Sequence, residues 1–294
     1  MPDSLFGYPM AAISGQLLVG MINGSLYALM SIGLAIIFGL LQVVNFAHGA
    51  QYMLGAFVAW GLLEYLGLSY WWALVLAPLI VGLSGIALER LLLRRLYHLD
   101  HVYALLLTFG VALILEGSFR YKFGATGQPY PNPILGGLDT TMAFFPWYRL
   151  WVIAASLTVC LVTWYVIERT KLGSYLRAAT ENPNLVRTFG VRVPRMLMLT
   201  YGLGVALAGF SGVMAAPIYQ VNPLMGSQLI IVVFAVVVIG GMGSLAGSIV
   251  AGFVLGVIEG ITKVVYPDGA GMVVFVLMLV TLALRPNGLF GSSR

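Results

Sequence analysis

Charge is what this sequence has least of. Of 294 residues only 9% are Asp, Glu, Lys or Arg, whereas 60% are hydrophobic and the mean hydropathy is +0.97. A soluble domain carries roughly 25% charged residues, so this chain has too little polar surface to cover a globule in water. Its solvent must be lipid, where the backbone satisfies itself only in helices or closed barrels, and the long apolar runs select helices. Cysteine is also nearly missing. Cys160 stands alone within an apolar run, which excludes a disulfide framework. Three histidines beside it supply no metal-ligand spacing. There is no His-Glu-x-x-His, no nucleophile elbow and no phosphate-binding P-loop. The sequence therefore predicts neither an enzyme nor a bound metal or cofactor. Carboxylates suited to an intramembrane proton relay are scarce, so uphill transport would need energy from another subunit. The opening MPDSLFGYPM has no basic stretch, so no cleaved signal peptide is expected.

What is there is apolar sequence punctuated by glycine, 36 residues of it, which lets membrane helices pack closely. The reading is an all-α polytopic membrane protein with eight or nine membrane segments, forming one transmembrane domain over 1–294. The first run, Ala11 to Val44, is longer than a ~30 Å hydrocarbon core requires, so it is tilted, overlong or broken, with Gly33 and Gly39 as weak points. Helices are then predicted from about Ala50 to Leu66, Trp71 to Leu92, Val102 to Phe119 and Trp147 to Ile167. Further ones follow at Met196 to Met214, Leu229 to Ile239, Ser248 to Ile261 and Met272 to Leu284. Residues 122–147, with four prolines and four glycines, read as an ordered external loop without long helices. Gly204, Ala208 and Gly212, and Ser248, Gly252, Gly256 and Gly260, recur every four residues as helix-packing faces. Glu116 and Arg120 are spaced for an ion pair at a helix end.

The 25 charged side chains are unevenly spread. Glu168 to Arg195 is 28 residues long and holds eight of them, six basic. Arg90–Arg95, this island, Arg285 and Arg294 together carry 11 of the 15 Lys and Arg. The alternation of spans places all of them on one side, the cytoplasmic one. The net charge of +5 is thus a topology signal, not a nucleic-acid footprint. Within the island, Ser174 to Ala179 reads as helix, and Pro183 suits the first turn of another. Leu185, Val186 and Phe189 form a short apolar stripe, and Gly190 stands at a natural C-cap. A short apolar-faced helix between basic flanks suits docking to a cytoplasmic partner; a solvated loop carrying topology charge is the plainer alternative.

Two interruptions, Asn45–Gly49 and Gly240–Gly247, each lie between apolar runs, and each following helix reaches a glutamate, Glu64 or Glu259. Unwound backbone at membrane depth is tolerated only where it is buried in protein or lines a water-filled cavity. Asn45, His48 and the Gly240–Gly243 backbone therefore either line a solute path or form tight cytoplasmic turns.

These pieces carry a resemblance. NFAHG at Asn45–Gly49, RAATENPNLVRTFGV at Arg177–Val191, GGMGSLAG at Gly240–Gly247 and RPNGLFG at Arg285–Gly291 stand in order. The chain resembles the permease subunits of branched-chain amino acid ABC importers over essentially its full length. The general permease loop of ABC importers begins Glu-Ala-Ala; here Arg177 replaces the glutamate and Gly190 follows Ala179 by eleven residues, similar to this subfamily's form. The resemblance implies that 168–195 is a cytoplasmic coupling loop. Arg177, Ala178, Ala179, Glu181, Asn182, Leu185, Arg187, Phe189 and Gly190 would contact ATP-binding subunits. It implies a second, related permease subunit as a heterodimer or homodimer partner, an external solute-binding protein, and a plasma (inner) membrane location with a cytoplasmic C-terminus. The translocation path would run by Asn45, Phe46, His48, Gly49, Gly240, Gly241 and Gly243. The expected function is import of branched-chain amino acids by alternating access. Urea or short-amide permeases of the same family, and a stand-alone channel or ion-coupled carrier, are the alternatives.

Overall fold

In the computed structural model, residues 4–5, 8–97, 99–139 and 144–291 are described. Arg294, residues 140–143 of the long loop and part of the first ten residues lie outside them. The described chain is all-α apart from two small hairpins, β1 (Ser4–Leu5) with β2 (Tyr8–Pro9) and β3 (Gly137–Asp139) with β4 (Phe144–Pro146). Its helices are α1 (Met10–Leu41), α2 (Ala47–Leu66), α3 (Tyr70–Leu91), α4 (His101–Phe123), α5 (Trp147–Arg169), α6 (Lys171–Glu181) and α7 (Pro183–Thr188). They continue with α8 (Val193–Tyr219), α9 (Met225–Gly240), α10 (Leu245–Val265) and α11 (Ala270–Leu284). Among the described residues seven helices are long and apolar enough to cross a membrane, and α9 is a shorter apolar one. With the 20-residue α2, whose buried face includes His48 and Gln51, the eight or nine segments are accounted for.

The first apolar run is one unbroken helix of 32 residues, about 48 Å at ~1.5 Å per residue. Neither Gly33 nor Gly39 breaks it. The expected Glu116–Arg120 ion pair is likewise not formed: neither residue takes part in an ion pair among the described residues. Such an exposed i,i+4 pair gains only a few tenths of a kcal/mol, too little to hold two long side chains together. Among its described residues the 122–147 loop contains no helix beyond the ends of α4 and α5, in keeping with its prolines and glycines. Its first part is fixed by Gln128, whose N–H donates to the Val221 carbonyl (2.8 Å) and whose carbonyl accepts from Val221 N–H (2.9 Å).

The chain divides into two compact units, and α1, α5 and α9 each pass from one to the other. The first, here the α10 unit, comprises 1–31, 132–160 and 232–294. In it the front half of α1 runs antiparallel to α10, glycine against glycine. A methyl group on Gly20 would sit 2.5 Å from the Gly256 carbonyl oxygen, and one on Gly260 2.5 Å from that of Gln16. Beside this seam Tyr27 donates to Glu259 (2.8 Å), whose other oxygen pairs with Lys263 (2.6 Å). Glu64, the supposed counterpart of Glu259, is simply exposed.

The second, the α8 unit, comprises 32–131 and 161–231. Here α8 is the central element, packed chiefly on α3 and α2. Gly204 faces Gly33 of α1, where a methyl group would lie 2.7 Å from the Gly33 carbonyl oxygen. Gly209 meets Gly55 of α2, Gly212 meets the Tyr52 carbonyl, and Gly202 lies against Ile86 of α3. The four-residue spacings read as packing faces are used within the chain. In lipid no hydrophobic drive presses helices together, so close backbone contact between small residues supplies the association.

Gly212→Ala therefore drives a methyl group into the backbone of α2, and should cost about 1–3 kcal/mol through overpacking. Gly110→Ala on α4, with nothing within 4 Å, should cost nothing and stabilise by up to about 1 kcal/mol through helix propensity. Thermal unfolding of the two variants in detergent, side by side, checks the contrast.

Candidate functional site

The sequence-selected residues fall into three places. In the α8 unit, the Asn45–Gly49 stretch is less of an interruption than its composition suggested. Ala47, His48 and Gly49 already form the first turn of α2, leaving residues 42–46 between helices. Small and polar residues read as a break; their burial makes them a helix start. Asn45 and His48 are both fully buried. Asn45 Nδ2 donates to Gln51 Oε1 (3.1 Å), while Asn45 Oδ1 has no partner. The Phe46 N–H donates to Thr108 Oγ1 of α4 (3.2 Å), and that hydroxyl donates in turn to the Val44 carbonyl (3.2 Å) or to Leu105 (3.0 Å). Gly49 allows α9 to approach: a methyl group there would lie 2.5 Å from the Gly226 carbonyl oxygen.

The Gly240 stretch belongs to the α10 unit. Gly240 ends α9, residues 241–244 turn, and Ser244 caps α10 by accepting from the Gly247 N–H (3.1 Å). Gly241 (φ +103°) and Gly288 (φ +79°) adopt backbone that favours glycine; a side chain on Gly288 would run into the Gly241 backbone, and one on Gly241 into that of Gly291. The chain after α11 closes this turn. Leu289 N–H donates to the Ile239 carbonyl (2.8 Å) and Phe290 N–H to that of Gly240 (3.1 Å), satisfying acceptors that the end of α9 leaves open. Two motifs far apart in sequence, Gly240–Gly247 and Arg285–Gly291, are thus one structural feature. Gly240 and Gly241 are buried in it, whereas Gly243 is exposed.

The third place is the charged island, also in the α8 unit. It folds as two short helices, α6 and α7. The Arg177 guanidinium turns back onto the end of α5, donating to the Ile167 carbonyl (3.1 Å) and pairing with Glu168 (3.2 Å). Gly173 lets α6 pack against that same Ile167 carbonyl. Asn182 caps α7 by accepting from the Leu185 N–H (3.0 Å), Pro183 takes its first position, and Gly190 (φ +80°) follows its end. The apolar stripe does not face one way. Val186 turns inward at 4% exposure, while Leu185 and Phe189, four apart, remain 55% and 75% exposed. Ala179 is buried; Ala178, Glu181 and Arg187 are exposed.

The structure adds residues that sequence reasoning passed over. Gln51, Glu89, Thr108 and Tyr201 are buried polar side chains in helices, all in the α8 unit. Polar residues inside apolar spans were the available signal. Glu89 was masked by the neighbouring Arg90–Arg95 charges, which read as a helix end.

Residues 16–282 match the family model described as the permease component of branched-chain amino acid transport systems. The chain is 28% identical to the high-affinity branched-chain amino acid transport system permease protein LivH of Salmonella typhimurium, covering 94% of both chains. It is 28% identical to the corresponding protein BraD of Pseudomonas aeruginosa, covering 94% of this chain and 95% of BraD. It is also 28% identical to the permease protein LivM of Salmonella typhimurium, covering 92% of this chain and 68% of LivM. No solved structure matches. With the spans in place and the matched region covering nearly the whole chain, this multi-pass membrane protein belongs to the branched-chain amino acid transport system permease family.

Proposed function

We propose that the chain is a transmembrane permease subunit of an ATP-driven importer of branched-chain amino acids, working by alternating access. ATP hydrolysis takes place in separate cytoplasmic subunits, and the chain carries out no covalent chemistry itself. The observation that carries this reading is the α6–α7 segment. Leu185 and Phe189 are exposed outside the membrane-spanning helices, where lipid does not cover them, and Arg187 is exposed between them. An exposed apolar pair framing a cation suits a protein partner. The α6–α7 helices hold that surface in a fixed form, so a partner's movement is passed on, not absorbed.

The similarity to both LivH and LivM, two permease proteins of one organism, supports a heterodimer with a related subunit. An external solute-binding protein delivers the amino acid. The subunit sits in the inner membrane with α6–α7 and the C-terminal end on the cytoplasmic side, the side the basic residues favour. Two stretches are assigned to the path, each within its own unit: Asn45, Phe46, His48 and Gly49, and the Gly240, Gly241 and Gly243 turn. Asn45 is the most direct of these, a buried amide with a free acceptor.

In the purified complex, Phe189→Ala and Arg187→Ala should each lower solute-stimulated ATPase activity by at least about tenfold while leaving the permease folded, as loss of an interface anchor does. Wild-type stimulation and assembly in both variants would exclude α7 as the docking element. For the path, Asn45→Cys and Met242→Cys in a Cys160→Ser background should react with a small water-soluble thiol reagent in one nucleotide state and be protected in the other. Labelling that ignores nucleotide would show that neither stretch is gated.

A further inference from the structure

Glu89, Glu116 and Glu259 are carboxylates set within apolar spans. Glu89 accepts from the Tyr97 hydroxyl (3.0 Å), and Glu259 from Tyr27 (2.8 Å) and Lys263 (2.6 Å). Glu116 of α4 takes part in no ion pair or hydrogen bond among the described residues. It lies seven residues before the end of the helix, about 10 Å along the axis. Beside water an unpaired carboxylate would mean little. Within a span it is costly, and such groups face a cation, a donor or a water-filled cavity. Lipid tails offer none of these. Arg120, one turn further on, is exposed and equally unpaired among the described residues.

The rest of α4 points to where the missing partner stands. It is the least covered of the seven spans. One side of it is spent on α2: Ala104 and Thr108 are buried, and the Phe119 and Phe123 rings lie 4.7 and 5.0 Å from that of Phe57, centroid to centroid. Beside that side runs a second row, Val102, Leu106, Phe109, Leu113, Glu116 and Arg120, spaced alternately by four and three residues. This is the 3.5-residue repeat by which one helix packs along another, the usual left-handed geometry in membrane bundles. Its four apolar members are between 48% and 58% exposed, so no helix among the described residues fills the row. Gly117, next to Glu116, has nothing within 4 Å, which leaves room for an incoming side chain to reach the carboxylate. Phe109 also meets Phe46 edge to face (6.1 Å), so the row borders a stretch assigned to the path, as an interface enclosing a path between two subunits must.

We propose that this row of α4 is the surface on which a second permease subunit packs, through an apolar helix that brings a basic side chain to the level of Glu116. This rests on the reading that the chain works as a pair with a related permease, and it names the helix that makes the pair. The apolar part of the row gives close packing but no preference for protein over lipid. Glu116 supplies the preference, because it is unsatisfied in the single chain and satisfied in the pair. One ionic layer in such a seam also fixes register and choice of partner. Arg120, one turn on, offers the same seam a cation for a carboxylate of the partner.

The test uses the assembled complex in lipid nanodiscs, in the Cys160→Ser background, with a short photocrosslinker attached through a thiol. Leu106→Cys and Leu113→Cys place it on the row, and Leu79→Cys on α3, 57% exposed, places it elsewhere. Both row positions should join the second permease subunit, and Leu79→Cys should not. Glu116→Ala should raise the dissociation constant of the pair at least about tenfold, read as subunit exchange on dilution, because it leaves the partner's cation unpaired. Glu116→Gln, which still accepts a hydrogen bond, should raise it less. A row that joins lipid or another protein instead, equal joining from Leu79→Cys, or an unchanged dissociation constant in Glu116→Ala would overturn the proposal. The mass of the intact complex separates the two readings. If it includes the second permease and the row does not reach it, the paired reading stands and α4 is not its surface. If it includes no second permease, the paired reading itself fails, and the α4 assignment with it.

Discussion

Backbone meeting backbone at glycine is the contact on which the rest of this protein depends. Lipid tails are as apolar as leucine, so helices in a bilayer gain little by hiding side chains from their solvent, and they associate where atoms can come closest. In the α8 unit those places are Gly204 on Gly33, Gly209 on Gly55 and Gly212 on Tyr52. In the α10 unit they are Gly20, Gly24, Gly252, Gly256 and Gly260 along one seam. The same glycines also seat large side chains of the facing helices, Ile37 at Gly204, Ile86 at Gly202 and Val81 at Gly209. Polar groups buried between the helices add directional contacts to that packing.

Asn45, Gln51, Thr108, Glu89 and Tyr201 lie on or beside helices α1, α2, α3, α4 and α8, all belonging to one unit. Each is costly to bury in an apolar surrounding. Their hydrogen bonds across elements, such as Asn45 to Gln51 and Phe46 to Thr108, give the unit directional contacts that glycine cannot. The α10 unit solves its own version differently, with Tyr27 and Lys263 on Glu259, and with the segment after α11 capping α9 and closing the Gly240 turn.

Much of this was legible in the sequence because it follows from local chemistry. Helix positions came from apolar runs, and the α6–α7 pair came from its charges, Pro183 and Gly190, all of which act within a few residues of themselves. Asn182 capping α7 and the absence of helix among the described residues of the loop before Trp147 belong to the same class. The misreadings share a cause. Gly33 looked like a weak point because glycine lowers helix propensity, yet here it sits where α8 needs no side chain. Ala47–Gly49 looked like a break, yet burial makes it a first turn of helix. Leu185, Val186 and Phe189 looked like one stripe, and the packing turned Val186 alone inward.

The sequence by itself determined that the chain lives in lipid, which segments cross it, and that one basic stretch must remain in water. Composition and hydrophobic run length decide those matters, since transfer free energies add residue by residue. Only the tertiary structure decided that Arg285–Gly291 completes the Gly240 turn, that α8 is the element against which α1, α2 and α3 pack, and that the Phe46 N–H donates to Thr108 of α4. Those are meetings of residues 40 to 170 positions apart, set by which helix backbones can approach most closely, and no local pattern of residues encodes that.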